Sequence, residues 1–192
     1  LMSNNNAPYG LRPSRKLGGG CVANGGYSIA DGQVGDIYQG DVVMMTGTGK
    51  NIEIAPAGTT NAIGVFAGCN YIAADGRVTF KPYWASATAL EANTVCEALV
   101  YDDPQIIFRG QADTIAAADV GALADWVAGT GNIKTGKSGA QVQGSVTATT
   151  GKSLRIYGLL REVGNEYGAY AEVEVMFAEH ALTGVVSGVG GD

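Results

Sequence analysis

Four stretches of this 192-residue chain carry residue types that could do chemistry. Residues 131–138, GNIKTGKS, match the phosphate-binding pattern G-x-x-x-x-G-K-[ST] letter for letter. Glu172 and Glu174 stand two apart, which on a strand puts both carboxylates on one face, about 7 Å apart, a separation that invites comparison with paired glycosidase carboxylates. His180, the single histidine, follows Glu179. Asp102 and Asp103 precede Pro104 and present oxygens of the kind calcium takes.

None of the four has the surroundings its chemistry needs. A phosphate cradle requires a buried strand before it and a helix after it, so that backbone N–H groups converge on the anion. Here GAQVQGSVTATTG follows, rich in Gly, Thr and Val, and no α/β alternation elsewhere supplies the sheet. Acids alternating with Val173, Val175 and Phe177 are ordinary strand patterning with a solvated face. A lone imidazole without a serine or cysteine in a nucleophile-like context defines no triad. The Asp-Asp-Pro run lacks EF-hand spacing and reads as a turn. The sequence therefore predicts no catalytic residue, no metal site and no cofactor.

The elements that must position these groups are short strands. Thirty glycines with only 16% charged residues imply many tight turns. Turn signals at Asp31-Gly32, Gly35-Asp36, Gly40-Asp41 and Gly47 separate strand-like runs, and Ile52 and Ile54 flank Glu53 in clean alternation. Residues 64–84 read as a hairpin. Val65, Phe66, Tyr71 and Ile72 supply one strand, Asp75-Gly76 the turn, and Val78, Thr79 and Phe80 the return. Residues 94–101 and 106–108 continue the pattern. Residues 154–160 are set to pair with 171–177 across Gly164-Asn165.

Residues 114–127, TIAAADVGALADWV, form the one helix candidate, with Thr114 as cap and Ala116, Val120, Leu123 and Val127 at helical spacing. Residues 129–152 suit a long loop or edge ribbon. The expected fold is all-β, a single-domain barrel or sandwich of short antiparallel strands with one short helix and an extended N-terminal arm. Its divisions are an arm over 1–26, a β-rich domain over 27–182 and an extended, mobile tail over 183–192.

Charge separates the arm from the body. The net charge of −6 gives no basic footprint for nucleic acid, yet residues 1–30 hold Arg12, Arg15 and Lys16 and no acid. Tyr9, Leu11, Arg12, Pro13, Arg15 and Lys16 make a cluster that either folds onto a partner or stays a disordered tail. Tyr83 and Trp84 read first as core, then as an interface anchor. A sugar-stacking platform is the third option. Cys21, Cys69 and Cys96, odd in number and widely spaced, read as reduced thiols. No apolar run reaches the roughly 20 residues of a spanning helix, so the expected chain is soluble and not membrane-bound. The opening LMSNNNAPYG carries no secretory pattern, so a leader is not expected.

Five stretches, APYGLRPSRKLGGG, YSIADG, GVFAGCNYIAADGRVTFKPYWASATAL, VYDDP and LRIYGLL, resemble, in order, the small capsid decoration or cement proteins of tailed bacteriophages. The resemblance implies a non-enzymatic, β-rich structural module that binds the outer surface of an expanded icosahedral capsid in many copies. It would stabilise contacts between capsomers after assembly in the host cytoplasm. Its implied partners are the major capsid protein and other copies of itself. The implied contact residues are Tyr9, Leu11, Arg12, Pro13, Arg15 and Lys16 in the arm, with Tyr83 and Trp84 at the hairpin end. The alternative is a carbohydrate- or receptor-binding module displayed on a virion.

Overall fold

The computed structural model describes residues 4–59, 61–144 and 151–183. Its strands are β1 (Arg12–Lys16), β2 (Gly25–Ile29), β3 (Ile37–Tyr38), β4 (Val42–Met45), β5 (Ile52–Ile54) and β6 (Ala62–Ile72). There follow β7 (Val78–Lys81), β8 (Tyr83–Trp84), β9 (Cys96–Tyr101), β10 (Ile106–Gln111) and β11 (Thr114–Ile115). The last are β12 (Leu123–Ala124), β13 (Trp126–Val127), β14 (Gln141–Val142), β15 (Leu154–Leu159), β16 (Gly168–Ala169) and β17 (Glu172–Phe177). The fold is all-β, a sandwich of short antiparallel strands, and no barrel closes.

Two sheets carry the architecture. One runs β1-β10-β17-β15-β12, and the other β2-β9-β6-β4-β5, with β7 added to the far half of β6. The second sheet curls until the Ser28 N–H donates to the Lys50 carbonyl at 3.0 Å. Inside the curl Ile29, Val43, Ile63, Phe66, Cys96 and Trp84 form one core. Between the sheets, Phe108, Ile156, Val173, Val175 and Phe177 meet Val42, Ala62 and Val65 in another. Because β6 serves both cores, Ala62 to Cys69 is buried on both faces and reads in sequence as an unbroken apolar run. Gly64 is needed there: at φ +152°, an added Cβ would meet the Tyr101 carbonyl oxygen at 2.1 Å.

The two hairpins read from sequence are present. The β6–β7 turn closes with the Gly76 N–H donating to the Ala73 carbonyl at 2.8 Å, and Asp75 accepts from Arg77 Nε at 2.7 Å. β15 pairs β17 with Leu154 opposite Phe177 and Ile156 opposite Val175. Asn165 fastens their connection, donating to the Leu160 and Glu172 carbonyls at 2.8 Å and accepting from the Glu172 N–H at 2.9 Å.

Two expectations are corrected. Residues 114–127 are not a helix. Only Ala117–Asp119 turn, as a 3-10 segment, and the rest is spent in β11, β12 and β13. Gly121 sits at φ +89° and donates to the Ile156 carbonyl at 2.9 Å, while Trp126 pairs with Val142, so partners distant in sequence outweigh alanine's helical preference. Nor is residues 4–16 a free arm. β1 lies antiparallel to β10, with Arg12 opposite Arg109 and Lys16 opposite Ile106, and Leu11 is 3% exposed in the inter-sheet core. Gly10 and Gly40 allow this closeness, since a Cβ on Gly10 would lie 2.5 Å from the Gly40 carbonyl oxygen. β2 also begins at Gly25, before the expected boundary at 26. The tail expected over 183–192 lies, beyond Thr183, outside the described residues, as do residues 145–150 of the expected loop.

Candidate functional site

Tyr9, Arg12 and Arg15 converge on the outer face of the five-stranded sheet. Alternation along β17 turns Val173 and Val175 inward and Glu172 and Glu174 outward, and the ladder sets Arg109 beside Glu174 and Gln111 beside Glu172. Onto this acidic row the N-terminal segment lays its polar groups. The Tyr9 hydroxyl donates to Glu172. Gln111 donates to the Asn5 carbonyl and accepts from the Ala7 N–H, both at 2.8 Å. Arg15 Nη2 lies 2.9 Å from Glu174, and its guanidinium sits 4.9 Å over the Tyr157 ring. Arg12 lies 4.6 Å over the ring of Tyr9, and Lys16 pairs with Asp103.

The electrostatics follow from these contacts. Burial, reinforced by the Glu172 carboxylate, raises the Tyr9 phenol well above its ordinary pKa. The Lys16 ammonium holds the Asp103 carboxyl below its usual value. Arg15 keeps nearly half its side chain in solvent, 45%, so its pair with Glu174 positions the guanidinium more than it stabilises the fold.

Two clefts flank this face. One, about 830 Å³, lies between the N-terminal segment and the loop around Lys137, with Tyr9, Arg12, Asn132 and Ser138 on its wall. The other, about 730 Å³, is lined by Arg15, Tyr157, Leu159, Arg161, Tyr167 and Glu174. Tyr157, Tyr167 and Arg161 were not among the residues singled out from sequence. Tyr157 was nonetheless legible, since it sits out of phase with the buried Leu154 and Ile156 on an alternating strand.

Of the eight implied contact residues, Tyr9, Arg12 and Arg15 share one face, whereas Pro13 and Lys16, opposite the inward Phe108 and Ile106, lie on the other side of the sheet edge. Leu11 is in the core. Tyr83 and Trp84 are elsewhere, in β8 against β3, with Trp84 opposite Ile37. Trp84 is wholly buried, donates Nε1 to the Gln33 carbonyl at 3.2 Å and meets Tyr71 edge-on at 5.9 Å. It is therefore core, and neither an interface anchor nor half of a stacking platform. Tyr83 is half-buried, stacked on Tyr38 at 6.0 Å.

The remaining chemistry-bearing groups have structural partners. After the 131–138 stretch the described residues 139–144 form no helix, and Ser138 is buried, donating to Asp41 at 2.5 Å. Burial raises the Asp41 carboxyl, opposed by that hydroxyl and by the Tyr38 N–H. His180 is buried, its Nδ1 accepting from the Leu182 N–H at 3.1 Å and its Nε2 without a partner among the described residues, and burial lowers its pKa. Cys69 and Cys96 are buried and unbridged; the Cys69 thiol and then burial raise the Cys96 thiol, while Cys21 is exposed. Among the described residues no group of three or more His, Cys, Asp and Glu side chains is placed to hold a metal, and no helix is long and apolar enough to cross a membrane. Compared with family models, curated proteins and solved structures, the chain matches none of them.

Proposed function

We propose that this chain is a non-enzymatic decoration protein of a phage capsid, binding the outer shell in many copies and bridging capsomers, with the major capsid protein as partner. The observation that carries this reading is the pre-formed face on which Tyr9, Arg12 and Arg15, all in a stretch resembling decoration proteins, are held by the acids and rings of the chain's own sheet. A rigid patch of cations and aromatics loses little side-chain freedom on contact, and repetition over a lattice turns modest single contacts into avidity. Ordering of a loose arm is not part of the mechanism, because residues 4–16 are already docked.

The test is co-sedimentation with undecorated, expanded capsids. Deleting residues 1–16 would strip β1 and Leu11 from the fold, so the informative variant is Arg12→Ala with Arg15→Ala. Saturable pelleting of the parent chain that the double variant weakens supports the reading. A parent chain that stays in the supernatant at every salt concentration overturns it.

A carbohydrate-binding role on a virion is the second reading, and it moves to a different place. With Trp84 buried, the cleft between Tyr157 and Tyr167, each 43% exposed, is where a sugar ring would stack beside Arg15 and Glu174. Glycan-array binding that Tyr157→Ala abolishes would favour it over cementing.

A further inference from the structure

The edges of the two sheets are not alike. β1 bears Pro13, a bulge between Pro13 and Arg15, and three cations. β12 at the other edge is two residues long. In the curled sheet β2 meets the residues just before β5 through the Ser28–Lys50 hydrogen bond. These are the ways a sheet avoids pairing with strangers. Of these, β7 has only one cation, Lys81 at its end. Its run Val78-Thr79-Phe80-Lys81 contains no proline and no bulge, and Val78 and Phe80 are 82% and 58% exposed.

The register fixes which backbone groups of β7 are spare. The Ala73 N–H donates to the Arg77 carbonyl at 3.0 Å, so Arg77 faces β6 through its backbone. Antiparallel ladders alternate, so Thr79 opposite Tyr71 and Lys81 opposite Cys69 also bond inward. The Lys81 carbonyl agrees, lying 3.1 Å from where a Gly68 Cβ would be. Val78 and Phe80 therefore turn both N–H and C=O outward, along the free edge.

We propose that β7 is a self-pairing edge, occupied by β7 of a second copy of this chain running antiparallel about a twofold axis at Thr79. In that register Val78 of each copy faces Phe80 of the other, and the outward N–H and C=O groups of these residues satisfy one another reciprocally. The match needs no other sequence, because the donors and acceptors are symmetric about Thr79. The two Val–Phe cross-strand pairs lie on the side of the sheet where Ile72 and Leu99 are already half-buried, so the pairing extends an apolar surface. Arg77 falls opposite Lys81. Each cation is already engaged within its own copy, Arg77 by Asp75 at 2.6 Å and Lys81 over the rings of Tyr83 and Tyr71 at 5.3 and 6.0 Å. The inference concerns only the chain and its own copy and stands apart from the capsid reading.

The full chain is examined by sedimentation velocity over a wide concentration range, beside two variants. Val78→Pro removes an outward N–H that the β6 ladder does not use, and proline is tolerated on an edge with that orientation. It is expected to weaken association by roughly tenfold or more while the far-ultraviolet spectrum stays that of the parent. Thr79→Cys, in a Cys21→Ser background, sets two thiols face to face on the axis. Non-hydrogen-bonded partners have Cα atoms about 4.5 Å apart, within the disulfide range, so oxidised glutathione should convert it to a covalent dimer. Val78→Cys in the same background meets Phe80 and should remain uncrosslinked. A parent chain that is monomeric throughout overturns the proposal, as does a dimer in which Thr79→Cys fails to crosslink. If Val78→Pro does not fold, the cysteine pair decides alone.

Discussion

The Tyr9 hydroxyl donates to the Glu172 carboxylate, tying the start of the described chain to its last strand. Phenol and carboxylate sit on the outer face of the five-stranded sheet, and Gln111 approaches the same carboxylate at 3.4 Å. Tyr9→Phe removes the donor and leaves Glu172 partly buried. We expect it to cost about 1.5–3 kcal/mol, read as a lower urea midpoint with an unchanged slope. Glu172→Gln should cost less, because an amide oxygen still accepts. Equal losses in the two variants would mean that packing of the ring, and not the charged hydrogen bond, holds the segment.

Gly64 and Gly76 both have positive φ, but only one is crowded. Gly64→Ala drives a methyl against the Tyr101 carbonyl near the start of β6 and should destabilise by about 3 kcal/mol or more, or prevent folding. Gly76→Asn, at φ +80° with open space around it, should stay within about 1 kcal/mol of the parent. Thermal denaturation of the two proteins separates them.

His180 gives stability a pH dependence of known sign. Burial lowers its folded-state pKa below the ordinary 6.5, against the opposing pull of Asp102 and Asp103. As pH falls through 6.5 the unfolded chain takes up a proton that the folded chain refuses, so stability declines on the acid side of neutrality. Asp41 works in the opposite sense in a lower window, above 3.8, because its raised folded pKa makes the folded chain the better proton acceptor. Denaturant midpoints measured from pH 7.5 downward should slope for the parent chain. In His180→Gln the part of the slope that begins near 6.5 should vanish. A slope unchanged in that variant would assign it to the carboxylates.

The three thiols should differ in reactivity. Cys21 is exposed, whereas Cys69 and Cys96 are wholly buried on β6 and β9, with the Cys96 thiol held protonated. A colorimetric thiol reagent should therefore titrate one group at once and the other two only as the protein unfolds. Rapid reaction of all three would show that the curled sheet opens on the timescale of labelling.

How far the sequence could be read depended on how far apart the partners lie. β6 with β7 and β15 with β17 are hairpins whose alternation and turns, Asp75-Gly76 and Gly164-Asn165, sit within one short window. Leu11 is different. A single apolar residue between Gly10 and Arg12 has no periodicity, and its burial depends on Gly40 and Ala140, whose carbonyls receive the Leu11 and Gly10 N–H groups. Val127 misled for the same reason, since its spacing from Leu123 fits a helix while its true partner is Gln141. At the candidate site, the cations of the N-terminal segment were visible, but Glu172 and Glu174 read as a solvated face because nothing local marks them as acceptors for Tyr9 and Arg15.

The position of β17 in its sheet, between β10 and β15, bears on how the protein is made. The strand synthesised last among those described belongs in the middle, so while the ribosome is still adding residues 172–177, β10 and β15 each present an unpaired edge. Local hairpins such as β6 with β7 can form early on the emerging chain, but the inter-sheet core cannot close until residues 172–177 have emerged. Folding of this half waits on its last described strand. A ribosome stalled before residue 172 should hold a chain that proteases cut readily around 106–111 and 154–159, and release of the full length should make both segments resistant.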